Sequence, residues 1–176
     1  MSDGRPAGRL AQLFWTVVDS PIDPLLLIGD GTGLRSLWMA PHDPPADAVR
    51  DDDALATVST QLAEYFAGER TRFELALAPH GTPFQQQVWL ALRDIPYGRT
   101  TTYGAIATEL GQPTASRAVG LANGRNPLAV IVPCHRVIGA NGALTGFGGG
   151  LPRKRWLLEH ERRFRGTAAG GPAGLW

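Results

Sequence analysis

"NPLAVIVPCHRVIG" spans residues 126–139 and contains the only cysteine of the chain, Cys134. The apolar, β-branched run at 129–132 predicts a buried strand. Pro133 cannot donate a hydrogen bond to a neighbouring strand, so the strand is expected to end there, with Cys134 directly after it. A single cysteine cannot form an internal disulfide, which is typical of a reducing compartment and predicts a cytoplasmic protein.

The bulk composition excludes several classes of protein. Hydrophobic residues make up 43% of the 176 residues and charged residues 19%, which predicts a folded chain rather than a disordered one. No apolar run approaches the length of a membrane span, and the first 13 residues lack the apolar core of a signal peptide. With one cysteine and four scattered histidines, we expect no metal site.

Charge is distributed unevenly, although the net charge is only +1. Residues 1–80 carry six arginines against twelve acidic residues, whereas residues 111–176 carry nine basic residues against two acidic ones. This asymmetry favours contact between the C-terminal half and a polyanion, or attraction between the two halves. Three consecutive cations, 153–155, fall in the first turn of a predicted helix, where they oppose the helix dipole. They suggest either a phosphate partner or a solvated basic turn.

The first 79 residues predict a small α+β domain. Apolar segments bounded by turn residues predict strands at 13–18, 25–28, 34–39 and 73–77. A polar, proline-containing loop is expected at 41–53. Helical spacing of apolar residues over 55–66 then predicts one helix, which Gly68 can end.

Residues 80–165 predict a second, mostly helical domain. Thr82 and Gln85 form a capping box that begins a helix. Two short helices follow, one starting at Thr102 and one built of small residues over 114–124; they fit a helix-turn-helix or an ordinary helical hairpin. The last helix begins at Pro152. The tail, residues 166–176, is predicted to be disordered.

The chemistry expected at Cys134 requires activation of the thiol, because a free thiol is only slightly ionised at neutral pH. Neighbours on an extended chain point to opposite sides, so a water bridge to His135 is favoured over direct contact. Glu161 falls near the apolar face of the last helix and is a candidate to orient the imidazole. The alternatives are a small buried hydrophobe, a core histidine and a solvated glutamate, respectively.

Several motifs together resemble one family. They are VPCHRV, GRNP, SRAVG, TPFQQQVW, IPYG and TGFGGGLPRKRWLLEHE, in family order and spacing over residues 82–161. The chain resembles the methylated-DNA–protein-cysteine methyltransferases, or O6-alkylguanine-DNA alkyltransferases. The N-terminal segments VVDSPIDPLLL and QLAEYFAGER resemble the same family. The resemblance implies an α+β fold: a small antiparallel sheet with a helix (ribonuclease H-like) at 1–79, and a mostly helical DNA-binding domain with a helix-turn-helix at 80–165.

The resemblance also implies a reaction. A DNA repair protein of this kind binds double-stranded DNA, flips O6-alkylguanine out of the stack and moves the alkyl group irreversibly to Cys134 in a single turnover. No cofactor is implied, and the zinc ligands of some family members are absent here. O4-alkylthymine is a further candidate substrate, and the protein is expected to be a monomer, with cooperative binding to DNA left open. The alternatives are a non-catalytic module that binds alkylated DNA, against which Cys134 argues, and a Cys–His hydrolase.

The resemblance implies four catalytic residues. Cys134 matches the acceptor, His135 the residue that takes the thiol proton through a water, and Glu161 the acid that orients His135. Asn126 matches the asparagine that links the helix-turn-helix to the active-site strand.

Contacts with DNA or the flipped base are implied for a second set of residues. Arg117 would fill the space left by the base, and Tyr103 would contact the guanine. The other members of the set are Ser116, Ala118, Gly120, Arg136, Val137, Phe147 and Gly148. Many family members have tyrosine where this chain has Phe147, so a hydroxyl that could donate toward the guanine oxygen is missing.

Overall fold

The computed structural model describes residues 12–166. The elements are β1 (Phe14–Val18), β2 (Leu25–Asp30), β3 (Gly33–Met39), β4 (Val49–Arg50), α1 (Ala56–Phe66), α2 (Pro83–Arg93), β5 (Thr101–Thr102), α3 (Tyr103–Glu109), α4 (Ser116–Gly124), β6 (Val137–Ile138) and α5 (Leu151–Phe164). A 3-10 turn, Cys134–Arg136, precedes β6. The chain is α+β, as predicted. The predicted disorder of the tail falls almost wholly on residues 167–176, which lie outside the described part.

The N-terminal sheet has the strand order β3-β2-β1-β4. Its three long strands pair antiparallel, as predicted, but β4 arises within the expected loop at 41–53 and pairs parallel with β1. The strand predicted at 73–77 is wrong, since only an isolated bridge joins Leu77 to Leu34. The side chain of Gln61 binds both backbone groups of Glu74, which takes the place of a strand partner there.

Helix α1 covers this sheet and also reaches the C-terminal helix. Val58 and Leu62 are buried, as the sequence predicts, and Tyr65 is the third buried apolar residue, whereas Phe66, which the pattern placed on this face, is half-buried. Gly68 has φ +79°, and a Cβ there would collide with the ring of Phe164 on α5. The glycine therefore ends α1 and permits close approach to α5.

The C-terminal helices begin as the sequence predicts. The Thr82 side chain accepts from the Gln85 backbone, and Gln85 returns a bond to the Thr82 backbone. The Thr102 side chain caps α3. Helices α3 and α4 pack against each other, and the indole of Trp89 on α2 donates to the Ala122 carbonyl, 2.9 Å away.

The strand predicted at 129–132 is wrong. This segment is buried, but it folds as successive turns in which Val132 N donates to Leu128 O and Cys134 N to Val132 O. Val130 adopts φ +73°, which breaks an extended conformation. An apolar run indicates burial but does not separate a strand from buried turns. Within the described residues, no helix is long and apolar enough to cross a membrane.

Candidate active site

Cys134 opens the 3-10 turn and is only 4% exposed. Burial raises the pKa of its thiol, so the sulfur is protonated at rest. The Asn126 side chain and the charge of Lys154 act in the opposite direction, because each favours the thiolate. The sequence analysis expects Cys134 and His135 to point to opposite sides of an extended chain. Because the segment is a 3-10 turn, that argument for their separation does not apply.

His135 and Glu161 form a fully buried pair. Nε2 of His135 lies 2.8 Å from Oε1 of Glu161, which confirms the predicted contact between the two residues. Burial lowers the pKa of His135, although Glu161 opposes this effect. Burial alone would raise the pKa of Glu161, but His135 and Arg136 outweigh it and lower that pKa. Nδ1 of His135 is also buried and has no partner among the described groups, so it is the free nitrogen of the ring.

Arg136 lies inside the protein rather than on a DNA-contacting surface. Its Nε and Nη2 each approach a Glu161 oxygen at 2.9 Å, and Nη1 donates to the Ile95 carbonyl at 2.6 Å. All three guanidinium nitrogens are thus used by the protein, and the residue is buried. The expected contact of Arg136 with DNA or the base is therefore corrected: it neutralises a buried carboxylate.

Two further donors to Glu161 were not found from the sequence. The hydroxyl of Tyr65 on α1 donates to Oε1 at 2.8 Å, and the backbone N–H of Gly98 donates to Oε2 at 3.0 Å. Nothing in the sequence around Tyr65 indicates its partner, because Glu161 lies 96 residues away along the chain. Glu161 therefore accepts from four residues in three separate parts of the chain.

Asn126 connects the end of α4 with the turns before Cys134. Its Nδ2 donates to the Val132 carbonyl at 2.8 Å, and its Oδ1 accepts from the backbone of Leu128 at 3.0 Å. Asn123, which the sequence did not single out, donates to the Cys134 carbonyl at 3.4 Å. These two amides hold the backbone that carries the sulfur.

The cations at 153–155 are not a single basic turn. Lys154 is buried, and its Nζ donates to the carbonyls of Val137 at 2.5 Å and Thr145 at 2.7 Å. Arg153 binds Asp23 and the carbonyls of Ala40 and Gly149. Protein groups, rather than phosphate or solvent, thus bind both cations: Asp23 pairs with Arg153, and backbone carbonyls solvate Lys154, so that only Arg155 is exposed.

The glycine-rich loop, residues 139–150, lies beside α3 and α4. Tyr103 donates from its hydroxyl to the Thr145 carbonyl at 3.0 Å. Phe147 is half-buried, Gly148 is exposed and Val137 is fully buried. Three surface cavities of 320–520 Å³ lie along the described residues, and Cys134 lines none of the three. None of these three cavities therefore brings a base into contact with the sulfur.

Helix α4 presents a flat outer surface. Arg117 and Ala118 are exposed, and Ser116 and Gly120 are half-exposed. Arg117 makes no hydrogen bond or ion pair with residues 12–166, so its charge is free for an external partner. A Cβ on Gly120 would lie 3.7 Å from the ring of Tyr103, which shows how closely α3 and α4 approach.

Two family models match the chain. The "6-O-methylguanine DNA methyltransferase, ribonuclease-like domain" model matches residues 13–79, and the DNA binding domain of the same family matches residues 83–163. A methylated-DNA–protein-cysteine methyltransferase of Methanosarcina acetivorans is 51% identical over 153 residues, which cover 85% of this chain and 98% of that protein. One from Mycobacterium tuberculosis is 53% identical over 153 residues, which cover 85% and 93%.

Solved structures agree with these matches. The crystal structure of Mycobacterium tuberculosis O6-methylguanine methyltransferase superposes with a TM-score of 0.81 at 52% identity, over 86% of this chain and 94% of that one. A crystal structure of the same organism's protein in complex with DNA gives 0.82 at 53% identity, with the same coverage. The chain therefore belongs to the 6-O-methylguanine DNA methyltransferase family and is an alkyltransferase of DNA repair.

Proposed function

We propose that Cys134 accepts an alkyl group from an O6-alkylguanine flipped out of double-stranded DNA, irreversibly and once per molecule. The observation that carries this assignment is the buried pair behind the cysteine. With Nε2 of His135 held by Glu161, the free Nδ1 is the nitrogen that can receive a proton. A neutral thiol next to such a base becomes a nucleophile when the base removes its proton.

The proposed step starts from the neutral thiol, because burial disfavours the thiolate. The Cys134 proton passes toward Nδ1 of His135 through a water, and the Glu161 carboxylate stabilises the imidazolium that forms. The sulfur then attacks the alkyl carbon: the S–C bond forms, the C–O6 bond breaks, and guanine leaves with the proton that the thiol gave up. A thioether has no acidic proton and no ready leaving group, so the residue does not return to a thiol.

Asn126 and Lys154 support the same step. Both lower the pKa of Cys134 against the effect of burial, so they favour the transient thiolate. Lys154 also joins Val137 to the glycine-rich loop. The base would enter with Tyr103, Phe147 and the backbone of Gly148 around it, and because Cys134 is buried at rest, the groups that cover the sulfur must shift.

DNA would bind through α4 of the helix-turn-helix. The free charge of Arg117 supports its insertion into the stack in place of the flipped base, a device that offsets part of the cost of extrusion. The small residues Ser116, Ala118 and Gly120 allow the backbone of α4 to approach a sugar-phosphate strand closely. The relative crystallised in complex with DNA supports DNA as the partner.

The remaining assignments are also part of this proposal. The protein acts as a monomer in the cytoplasm and needs no cofactor. Its activity extends to O4-alkylthymine only if the same pocket admits a pyrimidine. The chain divides into residues 1–79 and 80–165, and the separate matches of two family models support that division.

The test is a single-turnover reaction with a short duplex containing O6-methylguanine. Mass spectrometry should show one added methyl group on the peptide that contains Cys134, with a stoichiometry of one per chain. Cys134→Ser should bind the duplex and gain nothing. An unmodified wild-type peptide with the lesion still bound would favour the non-catalytic binding module instead.

A further inference from the structure

Tyr65 belongs to the N-terminal part of the fold, yet it reaches the proposed catalytic acid. Its side chain is fully buried, and its hydroxyl donates to Oε1 of Glu161 at 2.8 Å. The same oxygen lies 2.8 Å from Nε2 of His135. The hydroxyl and the imidazole therefore share one acceptor atom, although Tyr65 and Glu161 are 96 residues apart in the chain.

The position of this hydroxyl is fixed from several sides. The ring of Tyr65 packs against those of Phe73, Tyr97 and His160, with centroids 5.4, 6.0 and 5.4 Å away. The backbone carbonyl of Tyr65 accepts from Nε2 of His160 at 2.9 Å, so the backbone of α1 is also held to α5. Burial raises the pKa of Tyr65 well above its usual value, and the nearby Glu161 adds to the effect. The group thus remains a proton donor over the whole working range of pH.

We infer that Tyr65 is a positioning residue for alkyl transfer: its hydroxyl fixes Oε1 of Glu161 toward His135 and limits how strongly that oxygen holds the imidazolium. The inference rests on the proposed function of Cys134 and His135. Tyr65 touches neither the sulfur nor the base, so it acts only through Glu161. It makes the N-terminal part of the fold a participant in the proton transfer.

The sign of the expected effect follows from the charges around His135. Glu161 favours its protonated form, whereas Arg136 and Lys154 disfavour it. Loss of the Tyr65 hydroxyl removes one donor from Oε1, which leaves that oxygen a stronger acceptor for the imidazolium. The pKa of His135 then rises, and the acid limb of the rate profile moves to higher pH.

The matched pair for the experiment is Tyr65→Phe and Tyr97→Phe. Tyr97 is a neighbouring tyrosine whose buried hydroxyl has no hydrogen-bond partner in the described structure. Each change removes one hydroxyl and keeps the ring. The single-turnover rate constant of methyl transfer from the O6-methylguanine duplex is measured with the full chain, at saturating DNA, from mildly acidic to mildly basic pH.

We expect Tyr65→Phe to lower the rate constant about three- to tenfold, the range that corresponds to one lost hydrogen bond, and to shift the acid limb upward. The end point should stay at one methyl group per chain, and Tyr97→Phe should change neither rate nor profile. An unshifted profile in Tyr65→Phe, or the same shift in both variants, overturns the inference while leaving the proposed function intact. A wild-type protein that transfers no methyl group overturns both.

A second variant keeps the experiment decisive if Tyr65→Phe does not fold. Incorporation of 3-fluorotyrosine at position 65 preserves the ring and the hydroxyl but makes the hydroxyl a stronger donor. The acid limb should then move to lower pH, opposite to the shift in Tyr65→Phe. A shift in the other direction, or none, contradicts the role assigned to Tyr65.

Discussion

Glu161→Gln is the substitution with the most sharply defined cost, because the carboxylate it removes accepts five hydrogen bonds. Oε1 receives three of them, from Tyr65, His135 and Arg136, and Oε2 receives two, from Gly98 and Arg136. A glutamine amide has one acceptor and one donor end. Whichever way it turns, at least two buried donors face its NH2 group, and the Arg136 guanidinium loses its counter-charge.

The magnitude follows from these losses. A buried donor left without an acceptor costs about 1–3 kcal/mol, and breaking a buried ion pair from one side costs about 3–5 kcal/mol in total. We therefore expect the free energy of unfolding to fall by about 3–5 kcal/mol. In a chain of this size that corresponds to a drop of about 6–20 °C in Tm.

The loss should depend on pH in a defined direction. The pKa of Glu161 is lower in the folded protein than in the unfolded chain, so its contribution is complete above the unfolded carboxyl pKa of about 4.3. It is lost only as the pH falls through the lower, folded value. The stability difference between wild type and Glu161→Gln should stay constant near neutral pH and narrow in strong acid.

Chemical denaturation of both proteins, with Glu159→Gln as control, measures this difference. Glu159 lies on the same helix two residues earlier and is exposed, so its amide should cost less than about 0.5 kcal/mol. A loss below about 1 kcal/mol in Glu161→Gln would refute the reasoning. It would mean that the five contacts do not hold the carboxylate in solution.

Three further substitutions and a salt titration test the remaining assignments. Lys154→Met removes a charge that favours the thiolate and frees the carbonyls of Val137 and Thr145; single-turnover kinetics should show transfer slowed by about ten- to a hundredfold, the range for one charged hydrogen bond. Phe147→Tyr should speed transfer about two- to tenfold in the same assay, if the new hydroxyl reaches the leaving oxygen. Arg117→Ala should reduce repair of the lesion more than binding to undamaged duplex, and equal losses would remove its stack-filling role. In a salt titration, log affinity should fall with log salt, with a slope of about −5 when the six exposed cations after residue 110 each neutralise one phosphate; a flat response would count against this surface as the DNA contact.

The elements that the sequence predicts correctly depend on local chemistry. The capping box at Thr82 and the cap at Thr102 are set by residues three positions apart, so they can be recognised without knowing the fold. The contact between His135 and Glu161 was also foreseen, because helical phase places Glu161 near the buried face of α5 and a buried carboxylate requires a partner.

The features that were missed depend on contacts distant in sequence. The polypeptide at 129–132 is apolar enough for a strand, but the side chain of Asn126 and a positive φ at Val130 turn it back on itself. Tyr65 contacts Glu161 only because α1 packs on α5, and nothing in its own helix encodes that arrangement. Lys154 resembles any other basic residue in the sequence until the fold places two carbonyls around its ammonium group.

The structure divides the cations that cause the charge asymmetry into those bound by protein groups and those exposed to solvent. Of the nine cations after residue 110, Arg136, Arg153 and Lys154 bind protein groups and are not available to phosphate. The exposed cations are Arg117, Arg125, Arg155, Arg162, Arg163 and Arg165. The cations thus fall into two groups: three bind protein groups, among them Glu161 and the carbonyls of Val137 and Thr145, and six are exposed to solvent. For this reason, of the nine cations after residue 110 only the six exposed ones should contribute to the salt dependence of DNA binding, whereas the loss of Arg136 or Lys154 should appear in stability or transfer rate.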